Sequence, residues 1–256
     1  MIRPKTKEEI KTLREAGRRL YNVLQKLKER SVEGVSLKEL DALGESLIRE
    51  GGDVPSFLNY TPEGAGRPYP SSICISINNE IVHGISSESD KVLKDGDIVT
   101  LDAGLTHKNL IVDSAVTVIV GDVPDKVRSL LDVTEKSLYK GIEQAKVGNR
   151  VGDISYAVEQ FVKPYGFSIY RELVGHGVGY EVHEEPYVPN VGKAGTGPLL
   201  EDGMVIAIEP MLGLGSNEIK LAKDGYTYLT KDGSMSAHFE HTIAITNDGP
   251  IILTTE

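Results

Sequence analysis

The chain has 256 residues, of which 39% are hydrophobic and 26% are charged. This balance is typical of a folded globular protein and excludes a disordered segment or a coiled coil. Its single cysteine, Cys74, rules out an internal disulfide and any cysteine-rich zinc or iron–sulfur site. We expect a cytoplasmic protein outside the membrane, because no stretch approaches the roughly 18 apolar residues of a span and the charged first thirty residues lack a signal-peptide pattern.

The first thirty residues predict an amphipathic helix. Apolar residues or glycine recur every three or four positions, at Ile10, Leu13, Gly17, Leu20, Leu24 and Leu27. The segment holds ten Lys and Arg residues against four Glu, on a chain with a net charge of -10. The negative total argues against nucleic-acid binding by the whole chain. The pattern favours a packed helix with a basic face in water, and ribosome association is one use for that face.

Helices and strands then alternate in groups. Ser36 and Glu39 form a capping-box pattern, which predicts a second helix ending at Gly51–Gly52. Strand patterns follow at 72–77, 97–105 and 110–120, helical spacing at 127–145 and 151–165, and strand patterns again at 204–210 and 238–246. We therefore expect an α+β protein.

Two parts of the chain resemble one another. The segment LKDGDIVTLD, which ends at Asp102, matches LEDGMVIAIE, which ends at Glu209, and 34–51 corresponds to 148–166. The spacing is far above the roughly 20–50 residues of a solenoid repeat. Two similar halves, at about 34–120 and 148–246, within a single domain spanning 1–256 explain it better than a chance likeness between amphipathic strands.

Four carboxylates lie in or beside these strand patterns. Asp102 and Asp113 are symmetric about His107–Lys108, so a hairpin turning there would set them face to face. Glu209 and Glu240 are symmetric about an Asp-Gly dipeptide, which favours a turn. Opposed like charges destabilise a sheet, and no Lys or Arg lies within these segments to compensate them. The sequence therefore predicts a cation between them.

Divalent metals satisfy this arrangement, because two dications neutralise four carboxylates. Oxygen donors with few histidines favour manganese, iron or cobalt over a thiolate zinc site. His176, within GHGVG, is the natural fifth ligand, since flanking glycines let the backbone bring an imidazole close. Any single acid could be a surface residue on a strand end, but two opposed pairs in a repeated frame favour a metal site.

The chain resembles the type I methionine aminopeptidases. The resemblance covers nearly the whole chain and rests on the ordered set Asp102, Asp113, His176, Glu209 and Glu240 with the motifs NEIVHG, GHGVG, HEEP and FEHT. It implies the pita-bread fold, with two pseudo-symmetric halves around two divalent ions, Co²⁺, Mn²⁺ or Fe²⁺. It also implies that Asp102 binds one metal through both oxygens, that Asp113 and Glu240 bridge, and that His176 and Glu209 bind the second.

The same resemblance implies the reaction and the partners. The expected activity is removal of the N-terminal methionine from peptides and nascent chains by hydroxide attack at the dinuclear centre, and we expect a monomer. Glu209 would take the proton from water. His83 and His183 would contact the scissile amide and stabilise the tetrahedral intermediate. Tyr69 and Tyr226 would bind the first side chain of the substrate.

The side-chain pocket departs from the family pattern. An ungapped alignment back from Cys74 places Glu63 and Gly66 where bacterial members usually carry cysteine and tyrosine. Val182 and Tyr226 stand where phenylalanine and tryptophan are common. We expect a pocket that is roomier, or refilled by another segment, with a charge at its edge from Glu63. Such a pocket would discriminate methionine less sharply.

Two alternatives share the fold. A prolidase or Xaa-Pro aminopeptidase generally carries a substantial extra N-terminal domain, whereas only 101 residues precede Asp102. A metal-free pita-bread module would bind peptides without catalysis, but such modules have lost ligands and this chain has all five. Both are less favoured than a methionine aminopeptidase.

Overall fold

The computed structural model describes residues 2–256. Its α-helices are α1 (Lys7–Arg30), α2 (Leu37–Glu50), α3 (Asp125–Ile142) and α4 (Val151–Val162), and a 3₁₀ turn covers Lys163–Tyr165. The strands are β1 (Val54–Pro55), β2 (Cys74–Ile77), β3 (Glu80–Val82), β4 (Ile98–His107), β5 (Leu110–Ile119), β6 (Ser168–Ile169), β7 (Val174–Gly177), β8 (Glu184–Pro189), β9 (Val205–Ile208), β10 (Met211–Gly213), β11 (Ile219–Leu221), β12 (Tyr228–Thr230), β13 (Ser236–His238), β14 (Glu240–Thr246) and β15 (Gly249–Ile252). Over the described residues, none of the helices is both long and apolar enough to cross a bilayer.

The first two helices follow the sequence closely. Both begin with a capping box, Thr6 with Glu9 and Ser36 with Glu39, in which side chain and backbone exchange hydrogen bonds. The predicted apolar face of α1 is buried and its basic face lies outside, so the packed amphipathic helix is confirmed. Gly17 is required there, because a Cβ atom would lie 2.0 Å from the Leu253 carbonyl oxygen.

A nine-stranded antiparallel sheet carries the site. Its main path runs β1-β4-β5-β14-β9-β7-β8, while β2 also pairs with β4 and β15 with β14. The β4–β5 hairpin forms ten consecutive pairs and closes through Lys108–Asn109, where both residues have positive φ angles, 48° and 64°. Two left-handed residues fit the tight turns whose twist matches that of the flanking strands. The long hairpin gives the centre of the sheet a rigid frame.

Two helix pairs cover separate hydrophobic cores on this sheet. One core joins α1 and α2 to strand residues such as Ile75 and Leu101. The other joins α3 and α4 to residues such as Ile206 and Ile243. The α+β class is therefore as predicted, and since side chains alternate along a strand, Asp102 lies on the face of the sheet opposite the core residue Leu101.

The sequence located the long elements but missed most short strands. The strand predicted at 72–77 covers Cys74–Ile77, and the one predicted at 97–105 continues to His107. Strands such as β1, β6 and β11 have only two or three residues. Segments this short show no alternation, and their pairing is set by the loops around them.

Candidate metal centre and substrate cavity

The first carboxylate pair lies on the β4–β5 hairpin, in a different register from the one predicted. The turn comes one residue later, at Lys108–Asn109, so Asp102 pairs with Ala115 and Asp113 pairs with Gly104. The prediction that the two acids face one another directly is therefore wrong. Both remain on one face of the sheet, because positions two apart along a strand share a face. They are diagonal neighbours, still within electrostatic reach.

The second pair is arranged as predicted. β9 pairs with β14, and β10 pairs with β13. The two pairings share one register, although a short break in strand pairing separates them. Continuing that register through the gap places Glu209 opposite Glu240. The interruption falls at Pro210, whose nitrogen has no proton to donate to the ladder. The carboxylates of Glu209 and Glu240 therefore lie opposite each other at a break in the ladder of backbone hydrogen bonds.

His176 approaches both pairs from β7. Its Nδ1 donates to the Gly177 carbonyl oxygen at 2.9 Å, which leaves Nε2 as the lone-pair nitrogen, 3.4 Å from Glu209 Oε1. A Cβ at Gly175 would lie 2.4 Å from the Ala207 oxygen, and one at Gly177 would lie 2.3 Å from the Glu185 oxygen. The flanking glycines thus allow the close backbone approach expected from GHGVG.

The donor set fits a divalent cation. Asp113, His176 and Glu240 offer ligand atoms that all lie within 4.8 Å of one another, and Asp102 and Glu209 line the same cavity. Asp102 Oδ1, Asp113 Oδ1 and Glu240 Oε1 are buried without a hydrogen-bond partner. Such oxygens are costly to bury unless a cation or a proton satisfies them.

The electrostatics lead to the same inference. Burial, reinforced by the neighbouring carboxylates, holds the pKa values of Asp113 and Glu240 well above their usual range. Burial also raises the pKa of Asp102 to about 7, against a partial opposing effect of His238. No Lys or Arg occurs among the described residues that line the cavity. A metal would supply the missing positive charge.

Glu209 differs from the other three acids. Burial pushes its pKa upward, but the adjacent imidazoles of His238, His176 and His183 outweigh this, so its pKa lies below the ordinary value. Its backbone carbonyl accepts a hydrogen bond from Asn190 Nδ2 at 3.0 Å. Glu209 is thus the carboxylate that stays ionised most readily.

His238 is a site residue that the sequence analysis missed. It is 1% exposed, and its Nε2 lies 3.5 Å from Glu209 Oε2 and 4.0 Å from Glu240 Oε2. Neither ring nitrogen has a hydrogen bond of good geometry. Its position two residues before Glu240 in an extended segment could have indicated it, since alternate residues share a face.

His83 and His183 stand at the cavity, as expected from their motifs. His83 follows β3 with a φ of 60°, and its ring centroid lies 5.9 Å from that of Tyr228. The His183 ring lies 4.5 Å from the His176 ring, and its Nδ1 is 2.9 Å from the Tyr60 hydroxyl. Desolvation is the main cause that lowers the pKa of His83 to about 4 and that of His183 to about 3, so both rings are neutral at pH 7. His183 as a residue is nevertheless exposed to solvent.

The rest of the cavity is an aromatic wall. The cavity has a volume of about 270 Å³, and its aromatic lining consists of Phe57, Tyr60, Tyr69, Tyr187, Tyr226 and Tyr228. Tyr69 and Tyr226 meet edge to face with centroids 5.1 Å apart. The Tyr69 hydroxyl donates to the Gly84 carbonyl at 2.8 Å, next to His83. Both predicted substrate-binding tyrosines therefore lie in the cavity lining.

The prediction that Glu63 and Gly66 line the side-chain pocket is wrong, because neither residue lines the cavity. Asn59 N–H donates to the Tyr69 carbonyl at 2.9 Å, and Tyr69 N–H donates to the Tyr60 carbonyl at 2.8 Å. These bonds bring Tyr60 beside Tyr69 and leave 61–68 as a loop between them. Tyr60 fills the aromatic wall of the cavity. Of the two expected alternatives, a roomier pocket or one refilled by another segment, the refilled pocket therefore fits the structure. Val182 does line the cavity, as predicted.

Comparison with known proteins decides the family. Residues 11–247 match the model of metallopeptidase family M24. Methionine aminopeptidase 1 of Bacillus subtilis (strain 168) is 46% identical over 254 residues, which cover 99% of each chain. The crystal structure of methionine aminopeptidase from Thermotoga maritima matches with a TM-score of 0.94 at 40% identity and covers 100% of both chains. The chain belongs to the methionine aminopeptidases.

This family membership also confirms the pita-bread fold and ranks the alternatives. The prolidase from Pyrococcus furiosus matches with a TM-score of 0.77 at 26% identity, over 99% of this chain and 65% of that one. Its lower similarity and partial coverage favour the methionine aminopeptidases over the prolidases. Membership in a metallopeptidase family likewise disfavours a metal-free binding module.

Proposed function

We propose that this methionine aminopeptidase removes the N-terminal methionine from peptides and nascent chains at a dinuclear metal centre. The observation that carries the proposal is the floor of the cavity, where carboxylate oxygens without partners face the free Nε2 of His176 beneath an aromatic wall. The residues proposed to hold the two ions are Asp102, Asp113, His176, Glu209 and Glu240.

The donor chemistry limits the metal. Four carboxylates and one imidazole favour Mn²⁺, Fe²⁺ or Co²⁺, and the buried thiol of Cys74 is kept protonated because burial raises its pKa well above the usual value. When bound, such ions supply the Lewis acidity that lowers the pKa of water and polarises a peptide carbonyl.

Glu209 and the two cavity histidines have complementary proton chemistry. Glu209 has a lowered pKa, so it is ionised at neutral pH and can accept a proton from the attacking water. His83 and His183 are neutral, so each can present an N–H group to the scissile amide. Hydrogen bonds to the carbonyl oxygen as it gains negative charge stabilise the transition state.

The wall suits an unbranched, polarisable side chain. Tyr69 and Tyr226 present ring edges and faces around a cavity of about 270 Å³. Sulfur makes favourable contacts with aromatic rings, and the three rotatable bonds of methionine let it fit an irregular space. Substrate binding by Tyr69 and Tyr226, with Tyr60 beside them, follows from this match.

One experiment separates the proposal from its alternatives. Protein stripped with a chelator is titrated anaerobically with Mn²⁺ in a calorimeter and then assayed on Met-Ala-Ser and on an Xaa-Pro peptide. We expect two equivalents of metal, and activity on Met-Ala-Ser that depends on them. One equivalent with full activity would contradict the dinuclear assignment, faster Xaa-Pro cleavage would favour a prolidase, and inactivity with full metal loading would favour a binding module.

Ribosome association would use the exposed basic residues of α1. Arg18, Lys26 and Lys28 are exposed, whereas Arg14 donates to four carbonyl oxygens of residues 252–256 and Arg19 to Gly51 and Asp53. Reversing the three exposed charges should weaken co-sedimentation with ribosomes at low salt, because RNA is polyanionic. Equal co-sedimentation of variant and wild type would mean that the basic residues of α1 form only a solvated helix face.

That the protein is a cytoplasmic monomer stays a prediction.

A further inference from the structure

An ion pair outside the metal centre ties the N-terminal segment to the loop that carries His183. Lys5 Nζ lies 2.8 Å from Glu184 Oε2, and the two side chains are only 2% and 5% exposed. The Lys5 backbone N–H also donates to the Gly203 carbonyl at 2.7 Å. Side-chain entropy and solvent screening weaken surface ion pairs, but the Lys5–Glu184 pair is buried, so solvent screens it little.

Glu184 contacts the chain that precedes it. Its Oε1 accepts hydrogen bonds from the backbone N–H groups of Tyr180, at 2.5 Å, and Glu181, at 3.0 Å. It therefore closes the turn that precedes His183. Glu184 also pairs with Gly177 across β7 and β8. Glu184 thus holds the turn that precedes His183 through its carboxylate, and it pairs through its backbone with the strand that carries His176.

The surrounding packing leaves Lys5 little freedom. A Cβ on Gly179 would lie 2.4 Å from Lys5 Cε, so the aliphatic chain rests directly on that backbone. Lys5 Nζ lies 4.6 Å from the centroid of the Tyr180 ring, and the Tyr180 hydroxyl donates to Glu9 Oε1 at 2.9 Å. The N-terminal segment, the first turn of α1 and the 179–184 turn therefore form one packed unit.

We propose that Lys5 and Glu184 are positioning residues that set the place of His183 in the cavity. This inference rests on the proposed role of His183 in the reaction. Without the Lys5 charge, the Glu184 carboxylate is buried and uncompensated, so the 180–184 turn would reorganise toward water. His183 would then lose its placement against His176 and the Tyr60 hydroxyl. Metal binding would persist, because neither residue belongs to the donor set.

The kinetic test is a double-mutant cycle of Lys5→Met, Glu184→Gln and the double variant, assayed as Mn²⁺-loaded enzyme on Met-Ala-Ser. We expect each single variant to lower kcat about ten- to a hundredfold with little change in KM, because small misplacements of a catalytic group cost this much. The double variant should lose no more than the worse single variant. Metal stoichiometry should stay at the wild-type value.

The matched control is Arg19→Met, which removes an N-terminal ion pair to a buried carboxylate, Asp53; neither residue lines the cavity. It should lower stability while leaving kcat unchanged. If Lys5→Met does not fold, the double variant gives the kcat answer, because it leaves no buried charge unpaired. Additive losses in the cycle, or an equal loss of kcat in Arg19→Met, would overturn the proposal.

A second readout does not depend on activity. In metal-free protein labelled with ¹⁵N-histidine, the His183 ring resonances should move in Lys5→Met, while those of His241, whose Nδ1 is held by Thr254 at 2.9 Å, should not. Unmoved His183 resonances would refute the positioning role. Inactive wild-type enzyme would refute the proposed function instead, and the resonances would still decide whether Lys5 positions His183.

Discussion

The floor and the wall of the cavity are built by different means. The floor carboxylates Asp102, Asp113 and Glu240 lie on β4, β5 and β14, where strand pairing fixes the backbone. The wall residues Tyr60 and Tyr226 come from loops, far apart in sequence, that meet through side chains. Register therefore controls the charged chemistry, whereas loop packing controls the shape offered to a substrate. The charged chemistry of the floor and the shape of the wall can therefore vary independently.

Side-chain hydrogen bonds strengthen the difference. Thr242 Oγ1 donates to the Asp113 carbonyl at 2.7 Å, and Ser114 Oγ donates to the Glu240 carbonyl at 2.7 Å, so short hydroxyls tie the floor strands together. In the wall, the Tyr60 hydroxyl instead meets the ring of His183. Substitutions in the floor should change metal binding and stability, and substitutions in the wall should change turnover and selectivity.

The largest effect should come from removing one floor charge. Asp113→Asn should abolish binding of two metals, and with it activity, because its carboxylate lies among the ligand atoms. The same change should stabilise the metal-free protein, since it removes a buried acid whose raised pKa forces it to take up a proton on folding. Calorimetric metal titration and urea unfolding in chelator measure the two effects. Two equivalents bound with normal turnover would refute the assigned floor.

The histidines between floor and wall should affect turnover without affecting metal. His83→Ala and His183→Ala should each lower kcat about 10²–10³-fold, the usual loss for an oxyanion-type donor, with metal content intact. Metal analysis and kcat on Met-Ala-Ser give the comparison. Tyr228→Phe is a suitable control, because it keeps the ring beside His83 and removes only the hydroxyl. Loss of metal from His183→Ala would make that residue a ligand.

The same contrast explains what the sequence could predict. Three of the five proposed ligands, Asp102, Asp113 and Glu240, could be predicted because they lie on the long strands β4, β5 and β14. Glu209, just after β9, faces Glu240 through a register the sequence encodes, and His176 was indicated by the GHGVG motif. The predicted direct opposition of Asp102 and Asp113 was wrong because the turn, which includes Asn109 in a left-handed conformation, lies one residue later than predicted. Tyr60 was missed because its place depends on a loop closing on Tyr69, and no local pattern reports such a contact.

The pH dependence of stability should distinguish the titration of the floor carboxylates from that of the cavity histidines. Asp102, with a pKa raised to about 7, and Asp113, raised well above its usual range, retain protons in the folded metal-free protein that the unfolded chain releases near pH 4. Stability should therefore fall as pH rises, by about 1.4 kcal/mol per unit for each extra proton retained. Below about pH 6.5 the lowered pKa values of His83 and His183 act in the opposite direction.

The usable window therefore runs from about pH 6.5, above which the histidines no longer titrate, to about pH 7, where the folded protein releases the Asp102 proton. Urea unfolding in chelator at both limits should show a smaller fall for Asp113→Asn, which has one fewer acid to titrate. Saturating Mn²⁺ should also reduce the fall, because the metal replaces the protons. Equal falls in wild type and Asp113→Asn would mean that Asp113 holds no proton.

The smallest effects should come from the wall, where Tyr60 and Glu63 can be compared directly. Tyr60 lines the cavity and Glu63 does not. Tyr60→Ala should bring kcat/KM for leucine and norleucine peptides closer to that for methionine, since one methylene in an apolar pocket discriminates by only about 1–3 kcal/mol and depends on a close wall. Tyr60→Phe should preserve that ratio and lower kcat modestly, because it removes only the hydroxyl that meets His183. Glu63→Ala should change neither quantity. A shift in the ratio for Glu63→Ala, with none for Tyr60→Ala, would return Glu63 to the pocket and overturn the wall described by the structure.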